Sequence, residues 1–193
     1  MNPPFMKSWN AANVVTAIRI LMVPFFAWSL VVDGGQDETW RWVAAWIFAL
    51  AASTDKLDGW LARRSGQVTD LGKLLDPIAD KLLVGTALVL LSWIGEVWWW
   101  VTILILAREL GVTLMRFVLI RYEVMPASRG GKIKTVLQTV AITLYLLPLF
   151  VLPDWIGWAA AAFMGAALVV TVATGLDYAA QGWRISREAK RSR

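Results

Sequence analysis

The chain contains no cysteine and no histidine in 193 residues. Without cysteine there is no disulfide, no thiolate nucleophile and no thiolate ligand for a metal. Without histidine the commonest general base and the commonest zinc ligand are both missing. Acid–base or metal chemistry then falls to carboxylates, lysines, hydroxyls and bound water. Charge is scarce too: 17% of residues are charged, against about 25% in a soluble domain. Apolar surface is abundant instead, with 58% hydrophobic residues and 13 tryptophans and a mean hydropathy of +0.57. The formal net charge is +5. On a soluble protein that would point to nucleic acid. In a chain this apolar it suits an anionic bilayer surface or an anionic substrate, and no nucleic-acid partner is expected.

Six apolar segments organise the chain, at 13–32, 39–61, 73–94, 97–121, 133–152 and 155–180. Each is close to the length of about 20 residues that a bilayer-spanning helix needs. The breakers Asp33-Gly34-Gly35, Gly95-Glu96 and Pro153-Asp154 fall between them. Lys7, Arg63, Arg64, Lys73, Arg121, Arg129, Lys132, Lys134 and the tail Arg184–Arg193 collect on one side. The connections on the other side are acidic or neutral, with Arg41 the one base close by. By the positive-inside rule both termini are cytoplasmic. The expected fold is an all-α integral membrane protein of six transmembrane helices. It forms one membrane-embedded domain over 1–193, with a juxtamembrane segment at 1–12 and a basic cytoplasmic tail at 181–193. The asymmetry suits a bacterial inner (cytoplasmic) membrane. Trp93, Trp98, Trp99, Trp100, Trp155 and Trp158 gather near the non-cytoplasmic ends, as an interfacial belt does.

Four carboxylates do not fit a bland membrane helix bundle. Asp55 and Asp58 lie at i, i+3 near the end of the second span, and Asp76 and Asp80 at i, i+4 at the start of the third. Either spacing puts a pair on one helix face. A short polar loop joins the two spans, so they are expected to lie antiparallel, with the four acids converging at the cytoplasmic edge. Solvated helix ends, or pairs such as Asp55–Arg63 and Asp80–Lys73, would account for one or two of these acids. Four together repel and need compensation, and acids within a membrane segment mark functional sites by default. All-oxygen ligation selects Mg²⁺, Mn²⁺ or Ca²⁺ rather than zinc. Four aspartates suffice for two ions about 3.5–4 Å apart, the arrangement that clamps phosphoryl oxygens in an in-line displacement.

The pattern Asp55-x2-Asp58-Gly59-x2-Ala62-Arg63-x8-Gly72-x3-Asp76-x3-Asp80 resembles the full motif of the CDP-alcohol phosphatidyltransferase family. All eight specified residues in 26 positions match. The resemblance implies the CDP-alcohol phosphotransferase fold and two bound divalent ions, Mg²⁺ or Mn²⁺, held by Asp55, Asp58, Asp76 and Asp80. It makes Asp80 the general base for the acceptor hydroxyl, with Asp76 beside it in the catalytic pair. Gly59, Ala62, Arg63 and Gly72 would line the nucleotide and diphosphate site of a CDP-linked lipid. It also implies a homodimer. In a chain without histidine a carboxylate base is chemically natural.

Two further elements bear on the substrates. Asn13-x2-Thr16-x2-Arg19 places polar groups on one face of the first span. It is similar to the family element that contributes to the CDP pocket. Helix capping by Asn13 and back-bonding by Thr16 are equally open readings. Arg19 lies too deep in its apolar run for snorkelling alone. Arg108, Arg116, Lys132 and Lys134 concentrate positive charge near the cytoplasmic mouth, which suits a phosphate dianion. Plain positive-inside topology is the rival explanation for Lys132 and Lys134. Glu109 has two possible roles, orienting Arg108 or bonding an acceptor hydroxyl. Ala107-Arg108-Glu109 and Gly131-Lys132-x-Lys134-Thr135-x2-Gln138 resemble the phosphatidylglycerophosphate synthase branch of the family. That branch joins CDP-diacylglycerol to sn-glycerol 3-phosphate, releasing CMP. The alternatives are the same chemistry on inositol phosphate or serine and, in a different class, an ion-coupled transporter. A transporter would carry inverted repeats and midplane charges, and the sequence has neither.

Overall fold

In a computed structural model, backbone is described for residues 11–65, 70–119 and 129–191, and side chains for 14–54, 77–115, 130–183 and Arg187. All regular structure among these residues is helical: α1 Ala11–Val31, α2 Glu38–Ser65, α3 Asp70–Trp93, α4 Trp99–Leu119, α5 Arg129–Leu146 and α6 Asp154–Arg191. One helix falls on each expected span.

The helix ends follow from local chemistry. A short 3₁₀ turn, Val32–Gly35, separates α1 from α2. Within it Asp33 (φ 50°) and Gly34 (φ 63°) are left-handed, which breaks the helix. Gly35 also has positive φ, and a Cβ there would stand 3.1 Å from Ile94, so the α1–α2 and α3–α4 turns meet at a glycine. Asp37 caps α2, its Oδ1 accepting the Trp40 N–H at 2.9 Å. The fifth helix stops at Leu146, short of the expected 152. Pro148 lacks an N–H and disfavours helix at the residue before it, and 147–153 turns through short-range bonds such as Val151 N–H to Pro148 O at 3.1 Å. At the other extreme α6 runs unbroken to Arg191, so most of the basic tail extends a helix.

Among the described residues α1 packs extensively on both α2 and α3, whereas α2 and α3 touch little. Ring contacts Trp28–Trp40 (4.6 Å, edge-on) and Phe26–Phe48 (5.9 Å, tilted) show that α1 and α2 run antiparallel. The polar N-terminal half of α1 therefore lies along the C-terminal half of α2. The most extensive pair is α5 with α6, and α4 leans on α6. The core is Phe26, Leu30, Phe48, Leu83, Leu88, Leu91, Ile105, Ile142 and Leu146, with small Ala44, Ala87 and Ala141 letting helices approach.

Large apolar side chains cover the outside as well. Leu21, Trp46, Leu114, Val169 and Leu176 are all more than 60% exposed. Such a surface is a poor one for water and a good one for lipid. Among the described residues two segments, Val14–Gly35 and Asp154–Trp183, are long and apolar enough to cross a membrane. The helices between them carry charges into one end, which lowers their mean hydropathy. Trp93, Trp98, Trp155 and Trp158 are exposed at the opposite end, where an interfacial belt belongs.

Candidate active site

A cavity of about 130 Å³ opens between α3, α4 and α5. Asp80 and Gly85 line it from α3, Glu109 and Leu110 from α4, and Lys134, Thr135 and Gln138 from α5. The last aspartate of the motif thus shares one space with residues from the Ala-Arg-Glu and Gly-Lys-x-Lys-Thr-x2-Gln elements, 29 and 54 positions further on (109 − 80 and 134 − 80).

Helix geometry explains which charges arrive there. Lys132 and Lys134 are two residues apart, so they project to nearly opposite faces of α5. Lys134 is buried at 5% exposure, whereas Lys132 faces outward and does not line the cavity. A buried ammonium is costly unless paired. Glu109 supplies the partner, its Oε1 accepting a hydrogen bond from Lys134 Nζ. Gln138, one turn beyond Lys134 on the same face, is also buried and adds a neutral amide.

Arg108 adjoins Glu109 in sequence but turns about 100° away around α4. It lies against α6 and does not line the cavity. Its Nη1 donates to Glu109 Oε1 at 3.1 Å and its Nη2 to Thr174 Oγ1 at 2.8 Å. The guanidinium carbon sits 5.7 Å from the centre of the Tyr178 ring. One carboxylate oxygen therefore takes hydrogen bonds from two cations. Both roles considered for Glu109 stay chemically open: it orients Arg108, and its carboxylate faces the cavity.

Thr16 and Arg19 are buried on α1, at 1% and 3% exposure. Burial takes Arg19 inside the bundle rather than up to the headgroups. The side chains of Asn13, Asp55, Asp58, Gly59, Ala62, Arg63, Gly72, Asp76 and Arg116 lie outside the described residues. No group of three or more metal-ligating side chains occurs among the described residues, and of the four motif acids only Asp80 belongs to that set. A carboxylate is the hard oxygen donor that Mg²⁺ or Mn²⁺ takes, and Asp80 presents one to the cavity.

The α6 contribution was not legible beforehand. Thr171, Thr174 and Tyr178 recur at helical spacing on one face of an otherwise apolar helix. That stripe was the available signal. Arg41 was read only as an isolated base on the acidic side. It is fully buried, and its Nη2 reaches Glu96 Oε1 (3.1 Å) and the carbonyls of Tyr145 (2.9 Å) and Leu147 (3.0 Å).

Comparison with known proteins agrees with this geometry. The family model for CDP-alcohol phosphatidyltransferase matches residues 9–173. The chain belongs to that family. It is 50% identical over 175 residues to the "Probable phosphatidylglycerophosphate synthase" of Mycobacterium tuberculosis H37Rv, covering 91% of this chain and 82% of that one. It is 35% identical over 192 residues to the CDP-diacylglycerol–glycerol-3-phosphate 3-phosphatidyltransferase of Bacillus subtilis 168, covering 91% and 96%. It is also 34% identical over 176 residues to the cardiolipin synthase (CMP-forming) of Streptomyces coelicolor, covering 89% and 74%. As a CDP-alcohol phosphatidyltransferase the chain is an enzyme of phospholipid synthesis, and the transporter alternative falls.

Proposed function

We propose that this enzyme transfers the phosphatidyl group of CDP-diacylglycerol to sn-glycerol 3-phosphate, giving phosphatidylglycerophosphate and CMP. The observation that carries the reading is the single cavity shared by Asp80, Glu109 and Lys134. It brings the Asp80 carboxylate from α3, the Glu109 carboxylate from α4 and the buried Lys134 cation from α5 to one space. A phosphomonoester dianion needs such a cation, and serine does not. Among relatives, the names printed for the Mycobacterium and Bacillus proteins point the same way.

In this mechanism Lys134 holds the phosphate of the acceptor, with Glu109 fixing the direction of its ammonium. Asp80 takes the proton of the attacking hydroxyl. The acceptor oxygen forms a bond to the phosphatidyl phosphorus, and the bond to the CMP oxygen breaks, CMP leaving with the electron pair. Asp55, Asp58, Asp76 and Asp80 would together hold Mg²⁺ or Mn²⁺, which when bound supplies positive charge for the phosphoryl oxygens. Asn13, Thr16, Gly59, Ala62, Arg63 and Gly72 would receive the CDP end of the lipid. Arg108, Arg116 and Lys132 add positive potential near the acceptor.

The reading includes six membrane spans, cytoplasmic termini, a site opening to the cytoplasm and a homodimer. The exposed apolar periphery and the one-sided tryptophans support the membrane part. The deciding assay is CMP release by the purified enzyme from CDP-diacylglycerol. Glycerol 3-phosphate, inositol phosphate, serine and phosphatidylglycerol are offered separately, with Mg²⁺ or Mn²⁺ and after chelation. Release with glycerol 3-phosphate alone, lost on chelation, is expected. Release with a different acceptor would keep the chemistry and replace the substrate.

A further inference from the structure

We propose that Thr174, seated beside Gly175 on α6, is a positioning residue for the acceptor phosphate, acting through Arg108 and Glu109 on Lys134. The proposal rests on the acceptor reading above. Thr174 and Gly175 fall just beyond the span 9–173 matched by the family model and belong to none of the motifs.

The Thr174 hydroxyl lies 2.7 Å from the carbonyl of Val170 and 3.2 Å from that of Thr171, both of which can only accept, so its hydrogen points back into its own helix. Its lone pairs are left to accept, and Arg108 Nη2 donates to them at 2.8 Å. Gly175 makes this approach possible, since a Cβ at that position would stand 3.0 Å from Arg108 Cγ. Tyr178, one turn further, offers its ring face to the guanidinium. Three successive contacts of α6 thus fix where the Arg108 charge sits.

That location matters because of how charge divides around Glu109. Arg108 and Lys134 both donate to the same oxygen, Oε1. Two cations share one anion, so the cluster keeps one positive charge. With Arg108 held back against α6, the positive charge facing the cavity is that of Lys134, which shares the space with the Asp80 carboxylate. If Arg108 drifted from Glu109, the carboxylate would neutralise Lys134 instead and would itself repel an incoming phosphate. α6 therefore tunes the cavity's affinity for an anion without lining it. The effect belongs to the acceptor and leaves the nucleotide end alone.

The test uses the full chain in detergent, following CMP release while CDP-diacylglycerol and glycerol 3-phosphate are varied in turn. Thr174→Val removes the acceptor and keeps the shape. It is expected to raise the glycerol 3-phosphate KM about tenfold, the scale of a hydrogen bond to a charged group. The KM for CDP-diacylglycerol should stay unchanged, and Thr174→Ser should restore the acceptor KM. Gly175→Ala improves helix propensity but displaces Arg108. It should give the same acceptor-specific rise with an undiminished melting temperature, and it decides the matter alone if Thr174→Val does not fold. Unchanged acceptor KM in these variants, or equal rises for both substrates, would overturn the positioning role while wild-type turnover with glycerol 3-phosphate stands. A wild-type enzyme that releases no CMP with glycerol 3-phosphate would overturn the acceptor reading, and this proposal with it.

Discussion

In the proposed mechanism Asp80 and Lys134 divide the chemistry of the cavity between them, one taking a proton and the other holding an anion. Replacing Asp80 with Asn keeps the size and removes the base. Turnover is expected to fall by at least about 10²–10⁴, the usual worth of general base catalysis, while CDP-diacylglycerol binding largely survives. Single-turnover CMP release and equilibrium binding of the CDP-lipid check both halves, and full activity would remove Asp80 from the role. Lys134→Gln should raise the acceptor KM more than the CDP-lipid KM. A change of similar size in Lys132→Gln would instead favour a general surface potential, because Lys132 faces away from the cavity. The sequence singled out both lysines alike. Two positions on a helix point in opposite directions, but which of the two directions is inward depends on what packs against α5.

At the scale of elements, the Arg41 contacts tie the start of α2, the turn after α3 and the end of α5 into one knot. The last carbonyls of a helix lack intrahelical partners, and a cation placed there satisfies them and the helix dipole together. Arg41→Met would leave Glu96 and two carbonyls without their donor. Glu96 is partly exposed, so the cost should fall toward the lower end of a broken buried pair, about 2–3 kcal/mol. A clear drop in melting temperature in detergent is expected, with both KM values unchanged. From Asp80 to Trp93 alone α3 rises about 20 Å, so the knot is remote from the chemistry. A shifted KM would mean that the two ends are coupled. The stop of α5 at Leu146 belongs to the same scale. Pro148 was visible in the sequence, yet hydropathy carried the expected span across it to 152. Covalent geometry outranks apolar composition where the two conflict.

For the whole molecule, the six-span reading fixes which turns face each side of the bilayer. The natural absence of cysteine makes every introduced cysteine a unique reporter. Cysteine in place of Arg193 is expected to react with an impermeant thiol reagent only from the cytoplasmic side. Cysteine in place of Gly34 or Asp154 should react only from the opposite side. Reaction of all three from one side would dismiss the six-span topology. The placement of α1 between α2 and α3 also has a consequence at this scale. It brings the buried Thr16 and Arg19 alongside the half of α2 that carries Asp55 and Asp58. An N-terminal element and the first half of a central motif thereby become neighbours through the packing of α1 on α2.

By itself the sequence determined the chemistry available and the number of helices. With no histidine or cysteine, carboxylates, lysines, hydroxyls and bound water were what remained for acid–base or metal chemistry. Apolar run lengths marked six helices, and residue spacing made Asp55, Asp58, Asp76 and Asp80 a motif. Only the tertiary structure decided which residues far apart in the chain share a cavity and which adjacent ones do not. Arg108 and Glu109 are neighbours in sequence, yet one faces α6 and the other faces α5. Spacing within one helix fixes relative angles, but the absolute direction of a side chain comes from the neighbours a helix acquires. Those neighbours are chosen by packing over the whole chain.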